Sequence, residues 1–305
     1  MKEHTPAVSV VMPTFNRLGL LEQAVESVLN QTFTDLELLV VDDGSTDGTL
    51  AYLESIEDPR LRAISLPHSG NIAAARNGGA TQARGNYLAF LDSDDLWLPD
   101  KLKLQLACSA RAGVRWSYTR YDYIDENGRS VPGRAGKWRP LSGNIANKMV
   151  AAEASVTICS VLVDRALFEQ VGRFDNDLTR RNDYELLVRL SLAAETVAVE
   201  ESLVRVREHS GRVTRGMSGA DPFLATARAY EKLLRIIEDP DLRRVARRRR
   251  AHHLAEAGSH YLRANSIRPA ARCFVQSVLD DPQPRQLASA LYRGLKNRRR
   301  MPWSP

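Results

Sequence analysis

Five aspartates fall in two tight groups, Asp42 and Asp43 in VVDDGSTDGT and Asp92, Asp94 and Asp95 in FLDSDDLW. Each group follows a short apolar run and opens a stretch of turn-forming residues. Carboxylates gathered in one place repel a phosphate, so a site built from them needs a counter-charge. A hard divalent cation, Mg²⁺ or Mn²⁺, supplies it, held by one or two carboxylates together with diphosphate oxygens and water. In an extended Asp92–Ser93–Asp94 unit, alternate residues point to one side. One carboxylate would then meet a ribose and the other the metal. The plain alternative is a solvated acidic turn ahead of LWLPDKL.

Other chemistries lack their signatures. The sequence holds no GxGxxG and no GxxxxGK[ST], which disfavours a dinucleotide or P-loop site. HExxH is absent, and His252–His253 lie in a basic stretch without acidic neighbours at ligand spacing, which reads as surface. Cys108, Cys159 and Cys273 form an odd, widely spaced set. They predict neither a disulfide framework nor a zinc site, and they suit a reducing cytoplasm.

The elements that must position the aspartates follow from periodicity. AVSVVM reads as a strand ended by Pro13, which cannot donate to a sheet ladder. Leu21, Ala24, Val25, Val28 and Leu29 recur at helical spacing. LELLVVDD is a strand buried on both faces, with Ser45 or Thr46 to cap the helix after it. LRAISLP, NIAAARNGGATQA and NYLAFLD continue the alternation as strand, helix and strand, which predicts an α/β fold with a mostly parallel sheet. In such a sheet ligands bind outside the carboxyl ends of the strands. Here those ends read PTFN, DDGS and DSDD, so three polar clusters converge. Beyond them RWSYTRYDYI and VTICSVLVD read as strands, 129–148 as a loop, DYELLVRLSLA as a helix and TVAVEESLVRVRE as one or two strands. From Pro222 onward only helical periodicity appears.

Composition divides the chain. Of 305 residues, 43% are apolar and 26% charged, as in an ordinary soluble protein. No apolar run approaches the ~20 residues of a membrane span, and MKEHTPAVSVVMPTF predicts no secretory signal. Residues 241–305 carry 15 Lys and Arg against 4 Asp and Glu, whereas residues 1–240 carry 28 against 33. A mildly acidic body thus precedes a basic tail. RRVARRRR at 243–250 and KNRRR at 296–300 predict attraction to an anionic membrane surface. Nucleic acid is not expected, because the acidic body would repel its phosphates. Ala257–Gly258, Tyr261, Ala270, Phe274 and Pro282 sit at the offsets of a tetratricopeptide helix pair. An ordinary antiparallel helix pair fits them as well.

Four segments in order, SVVMPTFNR, LELLVVDDGSTDGT, AAARNGGATQARGNYLAFLDSDDLWLPDKL and RRNDYELLVRL, resemble the family 2 glycosyltransferases of the GT-A fold, over roughly residues 7–215. The resemblance implies a glycosyltransferase domain over 1–218 and a basic helical extension over 219–305. It also implies metal-dependent, hexosyltransferase-like transfer of a sugar from a nucleotide-sugar, usually UDP-linked, with inversion. The acceptor would be a saccharide hydroxyl, carried on a lipid in envelope polysaccharide synthesis. Such an enzyme would be cytoplasmic and peripheral on the inner face of the plasma membrane.

By motif, Pro13, Thr14 and Phe15 match the segment that packs on the nucleobase. Asp43, with Asp42 alongside, matches the residue that accepts from the base. Arg76 matches a donor-side residue, Asp92 the ribose-side member of the DxD pair and Asp94 the metal-side member. Asp183 matches the general base, with Asn182 where the family more often has Glu. His209 and Arg207 match a late segment that closes over the diphosphate, with His209 a metal ligand. An inverting transfer needs one base and a stabilised leaving diphosphate, and no second carboxylate acting as acid.

Two further readings stand beside this one. A non-catalytic interaction protein presenting the basic tail would be expected to have lost Asp43, Asp94 or Asp183, and none is lost. A nucleotidyltransferase would carry a glycine-rich basic loop after the first strand, which PTFNRLGL is not.

Overall fold

The structure is a computed structural model, and it describes residues 4–131, 140–209, 218–282 and 284–298. The chain divides into two compact units, Met1–His209 and Ser210–Pro305. The expected loop over 129–148 lies partly outside the described residues, as do Arg299 and Arg300 of the second basic cluster.

In the first unit, strand and helix alternate as β1 (Val8–Thr14), α1 (Leu18–Leu29), β2 (Leu36–Asp42), α2 (Thr49–Glu54), β3 (Leu61–Ser65), α3 (Ile72–Gln82) and β4 (Tyr87–Phe90). Then follow β5 (Leu96–Trp97), α4 (Lys101–Ala112), β6 (Trp116–Ile124), α5 (Ala146–Val150), β7 (Val161–Asp164), α6 (Arg165–Gln170), α7 (Asn182–Ala193) and β8 (Thr196–Arg207). The eight strands form one sheet in the order β3-β2-β1-β4-β7-β6-β8-β5. Pairs from β3 to β4 and the β6–β8 pair are parallel; β7 is antiparallel to both its neighbours, and β5 to β8. This is the Rossmann-like GT-A arrangement. Every residue of β1 and β2 is buried, as their unbroken apolar runs require.

Three local expectations need correction. Pro13 lies inside β1, opposite Val41, and does not end it. In a parallel ladder alternate residues face alternate neighbours, and Val11 faces β4, its carbonyl accepting from Leu91. Pro13 faces the same way, beyond the last β1–β4 pair, so its missing N–H leaves no ladder bond unmade. VTICS is not strand: Ile158–Ser160 form a 3-10 turn ahead of β7. The cap of α2 is Gly48 at φ 86°, a left-handed conformation that suits glycine, while the Asp47 carboxylate accepts from the Thr49 N–H and hydroxyl.

Helix α3 lies close on the sheet because residue 79 is glycine. A Cβ there would stand 2.5 Å from Val11 Cγ1 and 2.8 Å from Val41 Cγ2. Gly79→Ala is therefore expected to destabilise this unit by about 1–3 kcal/mol. A urea melt followed by tryptophan fluorescence reads this directly; an unchanged midpoint would show that the helix has room to move.

The second unit is helical, with α8 (Asp221–Leu233), α9 (Pro240–Arg263), α10 (Ile267–Asp280) and α11 (Pro284–Arg298). The long α9 packs against the other three. Gly258 lets the Phe274 ring approach, since a Cβ there would stand 2.9 Å from it. Around this contact Ala255, Leu262, Ala270 and Ala290 form a small core. His252 and His253 are half-buried, contrary to the surface expectation. Helix packing is the reason: His253 lies 6.1 Å from the Tyr230 ring, and burial lowers the His252 imidazole below its ordinary range. Among the described residues, no helix is long and apolar enough to cross a membrane.

Candidate functional site

The ends of β1 and β2 are laced together before any ligand is considered. Thr14 closes β1, buried, and its Oγ1 has no hydrogen-bond partner among the described residues. Asn16, at φ 49°, accepts from Thr46 N–H at 2.7 Å and donates its own N–H to Ser45 Oγ at 2.8 Å. The Asp42 carboxylate accepts from the Ser45 N–H at 3.1 Å and from its hydroxyl. Asp43 accepts from Ser69 N–H, Ser69 Oγ and Gly70 N–H, each at 2.9 Å. His68 Nδ1 lies 3.1 Å from Asp43 Oδ2 as well, so each of the roughly four acceptor positions of this carboxylate has a neighbour. Phe15 is 39% exposed and stacks on His68, with centroids 4.1 Å apart. Pro13, Thr14, Phe15, Asp42 and Asp43 thus gather at one sheet end, joined by His68–Ser69–Gly70.

Asp92–Asp95 is not extended. Asp95 N–H donates to the Asp92 carbonyl at 3.0 Å, closing a turn that sends the carboxylates to different partners. Asp92 accepts from Arg76 Nη2 at 2.5 Å. Asp94 accepts from Arg17 Nη1, and the same oxygen lies 3.0 Å from His209 Nε2. Asp95 accepts from Arg207 N–H at 2.9 Å. The shared side imagined for Asp92 and Asp94 gives way to this division.

Arg76 links the turn to α7. It is buried on α3, its Nη1 donates to Asn182 Oδ1 at 3.1 Å, and its guanidinium stands 5.2 Å from the centre of the Phe174 ring. Burial alone would lower its pKa, but the charges of Asp92 and Asp183 outweigh that and hold it above the ordinary arginine range. Its Nε is buried with no partner among the described residues. Asn182 is buried and anchored by a second bond, from Nδ2 to the Leu178 carbonyl at 3.0 Å. Asp183 follows it in the first turn of α7, half-buried, with Oδ1 accepting from Tyr184 N–H at 2.8 Å.

Arg207 departs from expectation. Its guanidinium is buried and committed: Nε to the Asp94 carbonyl, Nη1 to the Glu126 carbonyl at 3.0 Å and Nη2 to Gln23 Oε1 at 2.8 Å. With these partners it braces the Asp92–Asp95 turn instead of facing a diphosphate. His209 is the last described residue before position 218.

The donor set can be tested against a hard cation. Asp94 offers a carboxylate oxygen and His209 an imidazole, each side chain about one-tenth exposed, and a positive group already sits on that oxygen. This pair fits Mn²⁺ or Mg²⁺ as partial ligands. A second group, Asp92, Asp95 and Cys159, brings its ligand atoms within 4.8 Å of one another. It fits less well. Burial, then the neighbouring carboxylates, pushes both the Asp95 carboxyl and the Cys159 thiol well above their ordinary ranges, and sulfur is a soft ligand.

Sequence reasoning missed Arg17, His68, Ser69 and Cys159. Arg17 lies in the SVVMPTFNR segment, and LPHSGN carries a turn signal that gives no hint of Asp43 as its partner.

The fold and these clusters define a class of sugar-nucleotide protein, and comparison with known proteins agrees. The profile described as "Glycosyl transferase family 2" matches residues 9–172, and the chain belongs to that family. It is 39% identical over 211 residues to the putative teichuronic acid biosynthesis glycosyltransferase TuaG of Bacillus subtilis, covering 68% of this chain and 81% of that one. It is 27% identical over 233 residues to WfgD of Escherichia coli, a UDP-Glc:alpha-D-GlcNAc-diphosphoundecaprenol beta-1,3-glucosyltransferase, covering 76% and 87%. Against two uncharacterised glycosyltransferases of Rickettsia felis and Rickettsia bellii, the chain spans only 34% and 29% of their length. In fold it is similar to S. aureus TarS 1-349 in complex with UDP-GlcNAc, at a TM-score of 0.73 and 20% identity, covering 96% and 89% of the two chains. The mannosyltransferase PcManGT of Pyrobaculum calidifontis, in complex with GDP-Man and Mn²⁺, matches at a TM-score of 0.61 and 18% identity, covering 98% and 88%.

Proposed function

We propose that this chain is an inverting glycosyltransferase that moves a sugar from a UDP-linked donor to a hydroxyl of a lipid-linked saccharide in envelope polysaccharide synthesis. One observation supports the reading: the buried Arg76 bonds both Asp92, taken here as the ribose-side acid, and Asn182, the neighbour of Asp183, taken here as the base. TuaG and WfgD support an envelope saccharide as acceptor, and WfgD a lipid diphosphate carrier.

The base would dock on Phe15 and meet Asp43 in exchange for one of that carboxylate's present contacts, while Asp92 meets the ribose. Asp183 takes the proton from the acceptor hydroxyl as that oxygen bonds to the anomeric carbon. On the opposite face the bond to the diphosphate breaks, and the nucleotide leaves with the electron pair. When bound, Mn²⁺ or Mg²⁺ held by Asp94 and His209 would neutralise charge on the diphosphate. Arg17 shares the Asp94 oxygen and stands ready to meet the same charge.

The test is a donor panel that measures nucleotide diphosphate release with and without undecaprenyl-diphosphate saccharides. Release that no acceptor stimulates would sink the reading. For the metal, Asp94→Ala is expected to weaken Mn²⁺-dependent UDP binding by at least the ~10–100-fold seen when only a supporting partner of a metal ligand is lost. Calorimetry with UDP and Mn²⁺ measures it, and unchanged affinity would remove Asp94 from the metal site.

A further inference from the structure

We infer that the outer face of α10 docks on an anionic lipid surface. The inner face of this helix, Ala270, Cys273, Phe274 and Ser277, is buried. On the outer face Ile267 is 50% exposed, Val275 60%, Val278 40% and Leu279 73%. At 3.6 residues per turn, Ile267, Ala271, Val275 and Val278 form one stripe about 80° wide, with Leu279 at its border. Scattered exposed apolar residues need no explanation. Here four of the eight large apolar side chains exposed among the described residues sit on a single helix. A helix apolar on both faces is ordinarily covered on both.

Charge identifies the cover. Arg268 and Arg272 stand exposed along the edge of the stripe. The nearby acids are engaged elsewhere: Asp280 accepts from Arg250 Nη1 at 2.7 Å, and Asp281 lies 3.7 Å from Arg248. The outer face is therefore apolar and cationic. That combination fits the boundary between headgroups and acyl chains, where aliphatic side chains insert and arginines reach lipid phosphates. A two-fold dimer through this face would bring four arginines into one interface with no acidic partner on the face, which disfavours a second copy as the cover.

The run at 243–250 offers less than its sequence promises. Arg243 donates to the Leu234 and Ile237 carbonyls, Arg244 pairs with Asp241, and Arg250 and Arg248 are the partners of Asp280 and Asp281. On α11, Tyr292 is 62% exposed and Leu295 49%, with Lys296 5.6 Å from the centre of the Tyr292 ring. The same mixture of apolar and basic side chains thus recurs there.

The inference stands apart from the transferase reading, because vesicle binding is measured without donor or acceptor. The full chain is floated with phosphatidylglycerol–phosphatidylethanolamine vesicles and with phosphatidylcholine vesicles. Preference for the anionic vesicles is expected. Val275→Asp/Leu279→Asp should cut the bound fraction about tenfold or more, with no change in melting temperature, since both sites are exposed. Arg268→Gln/Arg272→Gln should reduce binding and its salt dependence, whereas Arg244→Gln should leave both near native. Absence of flotation, or native binding by the Asp variant, would overturn the inference. So would a dimer in light scattering that the Asp variant dissociates, because the face would then belong to a second copy.

Discussion

An enzyme carrying Asn in place of Asp183 is expected to bind donor as the native chain does and to transfer sugar at least ~10²-fold more slowly, the usual cost of losing a general base. The amide keeps the shape of the carboxylate and its acceptor oxygen, so the bond from Tyr184 N–H survives and the first turn of α7 is preserved. What is lost is the capacity to take a proton from the acceptor. Glu185 is no substitute, because both its oxygens are engaged by Arg189, at 2.8 and 2.6 Å. The measurement is acceptor-dependent diphosphate release beside donor calorimetry in the same buffer. Near-native turnover would move the base elsewhere, with Asp177 the next residue to test.

Arg76→Met should damage both stability and function. Its guanidinium is a buried cation whose partners, Asp92 and Asp183, are only half-buried, so removing it costs about 3–5 kcal/mol at most, the figure for breaking a fully buried pair. At roughly 2–4 °C per kcal/mol for a unit of this size, the melting temperature should fall by at most something like 6–20 °C. Donor binding should fall with it, since Asp92 and Asn182 lose their shared anchor. Arg76→Lys separates the two effects. It restores the charge and much of the stability, but a single ammonium cannot reproduce the two-armed contact, so transfer should remain impaired. If Arg76→Met melts as the native chain does, Arg76 is not what balances Asp92 and Asp183.

Much of this arrangement could be read from residue order. Alternating strands and helices up to Phe90, each with an unbroken or helical apolar pattern, foretold the parallel half of the sheet and the gathering of PTFN, DDGS and DSDD at its edge. Long-range pairing was not legible. The antiparallel entry of β7 between β4 and β6, and the two-residue β5 beside β8, carry no local signal, because register across distant strands leaves no periodicity. Side-chain partnerships were hidden for the same reason. Nothing near Asp43 points to Ser69 and Gly70, and Asn182 read as a missing acid until its amide was found against Arg76. The basic run at 243–250 shows the converse. Its composition spoke of an outside partner, while its side chains largely serve their own helices.

The Asp92–Asp95 turn has a consequence for the shape of the sheet. β4 ends at Phe90 and β5 begins at Leu96, yet they lie four strand positions apart. At about 4.8 Å per strand, a flat sheet would separate them by roughly 19 Å. A straight link would barely reach, at ~3.3–3.6 Å per residue, and this link is bent by the bond from Asp95 N–H to the Asp92 carbonyl. The sheet must therefore curl until its β8–β5 edge comes round over the end of β4. The turn is a clasp, and one short peptide sets the curvature of the sheet. Lengthening it by a single residue would loosen the curl at the Leu96–Arg205 pair.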